Sequence, residues 1–82
     1  MKVAHLSPEP GCILRVQAED GRCGLFDVSA YLGLEAFAAL KDPLEFNKVR
    51  NGGYFVEWAC GADLSVDTLE ARWSLMATPT LN

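Results

Sequence analysis

Cys12-Ile13-Leu14-Arg15-Val16-Gln17-Ala18-Glu19-Asp20-Gly21-Arg22-Cys23-Gly24-Leu25-Phe26 is the stretch that decides the fold. Leu14, Val16 and Ala18 alternate with Ile13, Arg15 and Gln17, the period-2 pattern of a strand with one buried face. Asp20-Gly21 follows, a strong signal for a tight turn, and a second strand returns from it. With Asp20 and Gly21 as the two turn residues, Cys23 stands opposite Ala18 and Leu25 opposite Val16. Cys12 then lies at the far end of the hairpin, so the roughly 7 Å limit on Cα separation excludes a disulfide within it. Leu25 and Phe26 fall on opposite faces, and the sequence leaves open which of them meets the core.

Working outward, Ser7-Pro8-Glu9-Pro10-Gly11 reads as an irregular link from a short first strand, because two prolines and a glycine interrupt a ladder. After the hairpin, Asp27 and Ser29 offer side chains that cap a helical turn. Leu34, Phe37 and Leu40 then recur every third residue, giving one apolar stripe through a short helix. Asp42-Pro43-Leu44-Glu45 starts another turn, with Asp as cap and Pro at the first helical position; Leu44 or Phe46 faces inward. Asn51-Gly52-Gly53 opens Tyr54-Phe55-Val56-Glu57-Trp58, rich in aromatic and β-branched residues and read as a strand. Gly61-Ala62-Asp63-Leu64 reads as a turn. Ser65 caps a terminal helix whose apolar face is Val66, Leu69, Trp73 and Met76, and Pro79 ends anything helical. The expectation is one small α+β domain over residues 1–82: an antiparallel sheet of about four strands with short helices packed on one face.

Composition sets outer bounds. The 82 residues are half hydrophobic and 22% charged, a globular balance with room for one marginally stable core. Eleven acids against seven bases leave a net charge of −4, which repels a phosphate backbone, so no direct nucleic-acid contact is expected. Lys41, Lys48 and Arg50 are the nearest thing to a basic cluster, and Asp42 and Glu45 interrupt it. The chain start has no leader-like apolar run, and no stretch approaches the roughly 18 apolar residues of a membrane helix. A cytoplasmic protein without membrane contact is expected. Cys12, Cys23 and Cys60 are odd in number and form no C-x-x-C pair, so neither a disulfide framework nor a zinc knuckle is indicated.

Catalytic candidates are few. His5 is the single histidine, near the chain start, and a Cys-His pair would need Cys60 or Cys23 beside it. Cys60 precedes a turn whose backbone N–H groups could favour a thiolate; the plainer role is a small filler beside Trp58. Asp63 and Asp67, four residues apart, could hold only an oxygen-ligated cation, and they equally suit the positive end of a helix. No metal site and no cofactor is expected; Gly52-Gly53 lacks the Lys-Ser/Thr of a phosphate loop. The aromatic strand is more informative. Phe55 and Glu57 share one face while Tyr54, Val56 and Trp58 share the other, and Trp73 is available to pack on Trp58. Phe55 then either forms an exposed apolar patch or is covered by the Pro8-Glu9-Pro10 link. Phe55 and Glu57, with Asp63, are the candidate binding residues.

The order Leu14-x-Val16, Asp20-Gly21, Gly24-x-x-Asp27-Val28-Ser29, Phe37-x-x-Leu40-x-Asp42, Phe46, Glu57-Trp58 and Gly61-Ala62-Asp63-Leu64-x-x-Asp67-x-Leu69 resembles a bacterial family known as domain of unknown function 2442. The pieces span roughly residues 3–70, leaving the terminal helix and tail, 66–82, partly beyond them. Ala59 stands where the family usually has proline, and Glu70 where it often has tyrosine. The resemblance implies a compact α+β fold. It also implies a regulatory setting, since some relatives continue into a helix-turn-helix and others are paired in the genome with a second small protein, as in toxin–antitoxin systems. A chain ending at Asn82 has no space for a helix-turn-helix, which directs the expectation to a protein partner or a second copy. The leading expectation is therefore a non-catalytic binding or regulatory module. Its alternatives are a small enzyme using Cys60 or the Asp63/Asp67 carboxylates, and a ligand-sensing domain with a pocket between sheet and helices.

Overall fold

The computed structural model describes residues 1–75. Strands β1 (Val3–Glu9), β2 (Ile13–Ala18) and β3 (Cys23–Asp27) lead into two 3-10 helical segments, Val28–Tyr31 and Glu35–Lys41. A one-turn helix α1 (Pro43–Phe46) comes next. Strands β4 (Arg50–Asn51), β5 (Phe55–Glu57) and β6 (Asp63–Ser65), helix α2 (Val66–Arg72) and strand β7 (Ser74–Leu75) complete the order. An antiparallel four-stranded sheet, β1-β2-β3-β7, stands beside a three-stranded one, β4-β5-β6. The α+β expectation holds; the second sheet is new to it, since β4 is only two residues long and β6 occupies what reads as a turn.

The decisive hairpin forms with a register one residue away from the expected one. Its loop is Glu19-Asp20-Gly21, so Val16 pairs with Gly24, Leu14 with Phe26 and Gln17 with Cys23. Gly21 takes φ +94°, and its N–H donates to the Ala18 carbonyl at 3.0 Å. A third loop residue in the left-handed region is the standard way to close such a turn, and glycine adopts it without steric cost. The shift answers the question left open by the sequence. Phe26 is 1% exposed in the core beside Leu14 and Val16, while Leu25 turns to the outer face.

The same shift places Gly24 on the core face, where the Trp73 ring lies directly on it; a Cβ there would sit within 2.4–2.8 Å of three ring atoms. Trp73 is thus not part of a helical stripe. Its N–H closes α2 onto the Leu69 carbonyl, its backbone then extends (φ −73°, ψ 155°), and Ser74–Leu75 pair with β3. Met76, the last residue of the expected stripe, lies outside the described residues. Nor does Trp73 meet Trp58, which packs with Phe37 and Phe46 instead.

The Ser7-Pro8-Glu9 stretch is also more regular than expected. It continues β1 as an edge strand, where a proline's missing N–H breaks no ladder bond inward. The turn is confined to Pro10-Gly11-Cys12, with φ +80° at Gly11 and +61° at Cys12. The caps appear where the sequence sets them: the side chains of Asp27, Asp42 and Ser65 accept from the N–H groups of Ser29, Leu44 and Thr68. The three-residue spacing of Phe37 and Leu40 matches the 3-10 helix, which has three residues per turn, and both are buried; Leu34, at its cap, is exposed. Phe46 rather than Leu44 turns inward. One apolar core joins both sheets and the helices, built from residues such as Leu14, Phe26, Leu40, Phe46, Val56, Trp58 and Leu69.

Two predictions follow from the hairpin. Gly24→Ala forces Trp73 off its seat and should cost about 1–3 kcal/mol, read as a lowered Tm. Gly33→Ala, where a Cβ meets nothing within 4 Å, should leave Tm essentially unchanged. The second concerns Asp20, whose carboxyl the Arg22 backbone N–H at 3.0 Å, helped by the Arg22 guanidinium at 2.8 Å, holds below its ordinary value of 3.8. Because the folded value is the lower one, whatever this exposed contact contributes is present above the ordinary carboxylate value and lost as pH falls through the folded one. A carboxyl NMR titration should place the Asp20 midpoint below 3.8, and Arg22→Ala should return it part of the way, since the backbone donor remains.

Candidate functional site

The second sheet carries the candidate residues because of how it alternates. Val56 and Leu64 are paired across β5 and β6 and point into the core. Their neighbours must face out, and these are Phe55 opposite Ser65 and Glu57 opposite Asp63, with Arg50 of β4 opposite Glu57 on the other side. The three candidate binding residues, Phe55, Glu57 and Asp63, thus share one exposed face. Phe55 remains 40% exposed, its ring lying over Gly52, whose absent Cβ makes the contact possible. Tyr54, expected in the core, is instead 65% exposed. It follows Gly53 (φ +89°) in the two-residue hairpin loop, outside the strand alternation, with the Lys2 ammonium 5.9 Å from its ring centre.

This face is charged as well as aromatic. Arg50 Nη2 lies 3.2 Å from Glu57 Oε1, so the Glu57 carboxylate is partnered. Asp63 makes no ion pair among the described residues. Asp67 sits in the first turn of α2, where the helix dipole favours a carboxylate, rather than beside Asp63 in one turn.

The catalytic candidates are dispersed. His5 lies on the outer face of the four-stranded sheet, paired with Gln17. Cys60 lies in the turn between β5 and β6 and is exposed, which removes its role as a filler beside Trp58. The Gly61 N–H next to it donates to the Trp58 carbonyl at 3.0 Å and so is committed within the turn. Among the described residues no three His, Cys, Asp or Glu side chains gather as metal ligands. One further feature escaped sequence reading. An open, mostly apolar groove of about 520 Å³ runs between the β1–β2 turn and α1, lined by Pro8, Pro10, Cys12, Pro43, Phe46 and Asn47 among others. The proline pairing that forms it is between residues far apart in sequence, and no local pattern announces it.

A family model described as "Protein of unknown function (DUF2442)" matches residues 3–74. The chain belongs to that family. The DUF2442 match reaches past the motifs to Trp73 and Ser74, the residues that cover Gly24 and close the four-stranded sheet. No curated protein and no solved structure matches the chain. No helix among the described residues is long and apolar enough to cross a membrane.

The placement of the thiols gives a direct expectation for this DUF2442 chain. A maleimide added to the folded protein should modify exposed Cys60 before half-buried Cys12 and Cys23, located by peptide mass mapping. Cys60→Ser should leave Tm unchanged.

Proposed function

We propose that this protein is a non-catalytic binding module of the cytoplasm that regulates a partner protein by direct contact, as one member of a paired system. The contact surface is the outer face of β4-β5-β6. The observation that carries this reading is the alignment, on one exposed face, of Phe55 with Glu57 and Asp63, next to exposed Tyr54. Aromatic side chains that stay in water on a small domain offer large contact area at low entropic cost, and a polar rim gives them specificity. The seating of Phe55 on Gly52 adds to this, because a ring already held in place loses little freedom on binding.

A ligand-sensing role has one observation in its favour, the groove between the β1–β2 turn and α1. Its lining suits a small, largely apolar molecule, with Glu9 and Asn47 supplying the polar groups.

A photo-crosslinking amino acid placed at position 55, compared with one at Arg15 on the outer face of the other sheet, tests the proposed surface in the native host. Position 55 should give one defined adduct with a partner protein, and position 15 none. Adducts of the same kind from both positions, or none from 55, would overturn the reading.

A further inference from the structure

We propose that the open edge of β6 receives an extended, basic segment of the partner as an added strand, with a lysine or arginine beside Asp63. The inference rests on the reading of the outer face as the contact surface and names the chemistry of what binds there.

The hydrogen-bond alternation defines the edge. The Trp58 N–H donates to the Ala62 carbonyl at 2.9 Å and the Val66 N–H to the Tyr54 carbonyl at 3.0 Å, so Val56 and Leu64, midway between, form the bonded pair. Phe55/Ser65 and Glu57/Asp63 are therefore the non-bonded pairs. The backbone groups of Asp63 and Ser65 turn away from β5, towards the side of the sheet that carries no strand among the described residues. The Ser65 carbonyl starts α2. The Asp63 N–H and carbonyl and the Ser65 N–H are left without a backbone partner among the described residues. They are the donors and acceptor that an incoming strand needs.

The charges select the strand. Side chains in non-bonded pairs approach more closely than in bonded ones, and like charges directly opposite destabilise a sheet. Glu57 and Asp63 are in that relation, and Arg50 is engaged with Glu57 on the far side. A cation arriving next to Asp63 completes an alternating row across the sheet, Arg50, Glu57, Asp63 and the incoming base. A second copy of this chain does the opposite, because pairing two β6 edges gathers two Asp63 and two Glu57 carboxylates in one sheet. Acidic edge residues are a known defence against such self-pairing. In the next row on this face the Phe55 ring leans over Gly52 on the β4 side, so on the β6 side the incoming strand meets only the small Ser65, which leaves room for an apolar residue two positions from the incoming base.

The probe is a capped heptapeptide with lysine and leucine two residues apart and threonine elsewhere, set against the same peptide with glutamate for lysine, in amide NMR titrations of the folded protein. The lysine peptide should shift the Asp63 and Ser65 amides and slow their hydrogen exchange, and the glutamate peptide should not. Asp63→Asn should weaken the lysine peptide by about fivefold, as should about 0.5 M salt. The same variant should raise Tm by about 2 °C, because it relieves the repulsion with Glu57. Silent Asp63 and Ser65 amides at millimolar peptide, or equal binding of both peptides, would overturn the proposal. If position 55 still crosslinks a partner in that case, only the added strand has failed; if position 55 captures nothing, the contact surface itself has.

Discussion

The indole N–H of Trp58 donates to the Phe46 carbonyl at 2.9 Å, in a setting where the ring is 2% exposed, and the rest of the molecule is arranged around that bond. The segment from Val28 to Phe46 has two 3-10 stretches and a single α-turn, none long enough to persist alone in water. What holds it is packing, in a chain of rings from Phe26 through Tyr31 and Phe37 to Trp58 and Phe46. The hydrogen bond gives that chain a fixed end. It gives the last carbonyl of α1 a second and shorter bond beside the one it accepts from the Val49 N–H at 3.3 Å, and it satisfies the buried indole N–H, which left unpaired would cost about 1–3 kcal/mol. Trp58 also anchors β5 through its backbone, since its N–H reaches the Ala62 carbonyl. The strand that presents Phe55 and Glu57 outward is thus held from behind by the residue that organises the helical segment.

The two sheets divide their roles accordingly. β1, β2 and β3 supply one wall of the core and leave a mixed polar face of the ordinary kind, with Arg15 and Glu9 3.4 Å apart. The smaller sheet contributes Val56 and Leu64 inward, and its outer side carries Phe55, the Arg50–Glu57 pair and Asp63, which makes no ion pair among the described residues. In so small a domain most side chains are needed for folding. A face that keeps Phe55 and Tyr54 in water and sets Glu57 against Asp63 forgoes stability that burial and opposite charges would have added.

Much of this architecture is legible in the sequence, and the misses have definite causes. Alternation at Leu14, Val16 and Ala18 identifies the buried face of β2, and Asp27, Asp42 and Ser65 cap the turns they appear to cap. Asp20-Gly21 marks the hairpin but not its length, because the dipeptide suits a two-residue turn and a three-residue loop ending in left-handed glycine equally well. Trp73 has helical spacing from Leu69, yet the empty space over Gly24 on a distant strand draws it out of the helix. β4 and β6 are too short for any period to register. The face was half visible: parity put Phe55 with Glu57, and only the β5–β6 register adds Asp63.

The junction between the sheets governs when the protein can become a protein. Ala4 is displaced by a bulge, and on either side of the adjoining Val3 peptide the N–H donates to the Gly53 carbonyl at 2.7 Å while the carbonyl accepts from Asn51 Nδ2 at 3.0 Å, 48 positions along the chain. The first strand therefore has no complete docking site until the β4–β5 loop exists, and Gly24 waits longer still, for Trp73. Local hairpins form early, but the closing contacts at both ends of the domain are long-range ones, which slow folding and leave edges open meanwhile. On the ribosome, the first closure has to wait until residue 53 has been synthesised and the second until residue 73, so the early hairpin of β2 and β3 stands for that time with its ends unclosed.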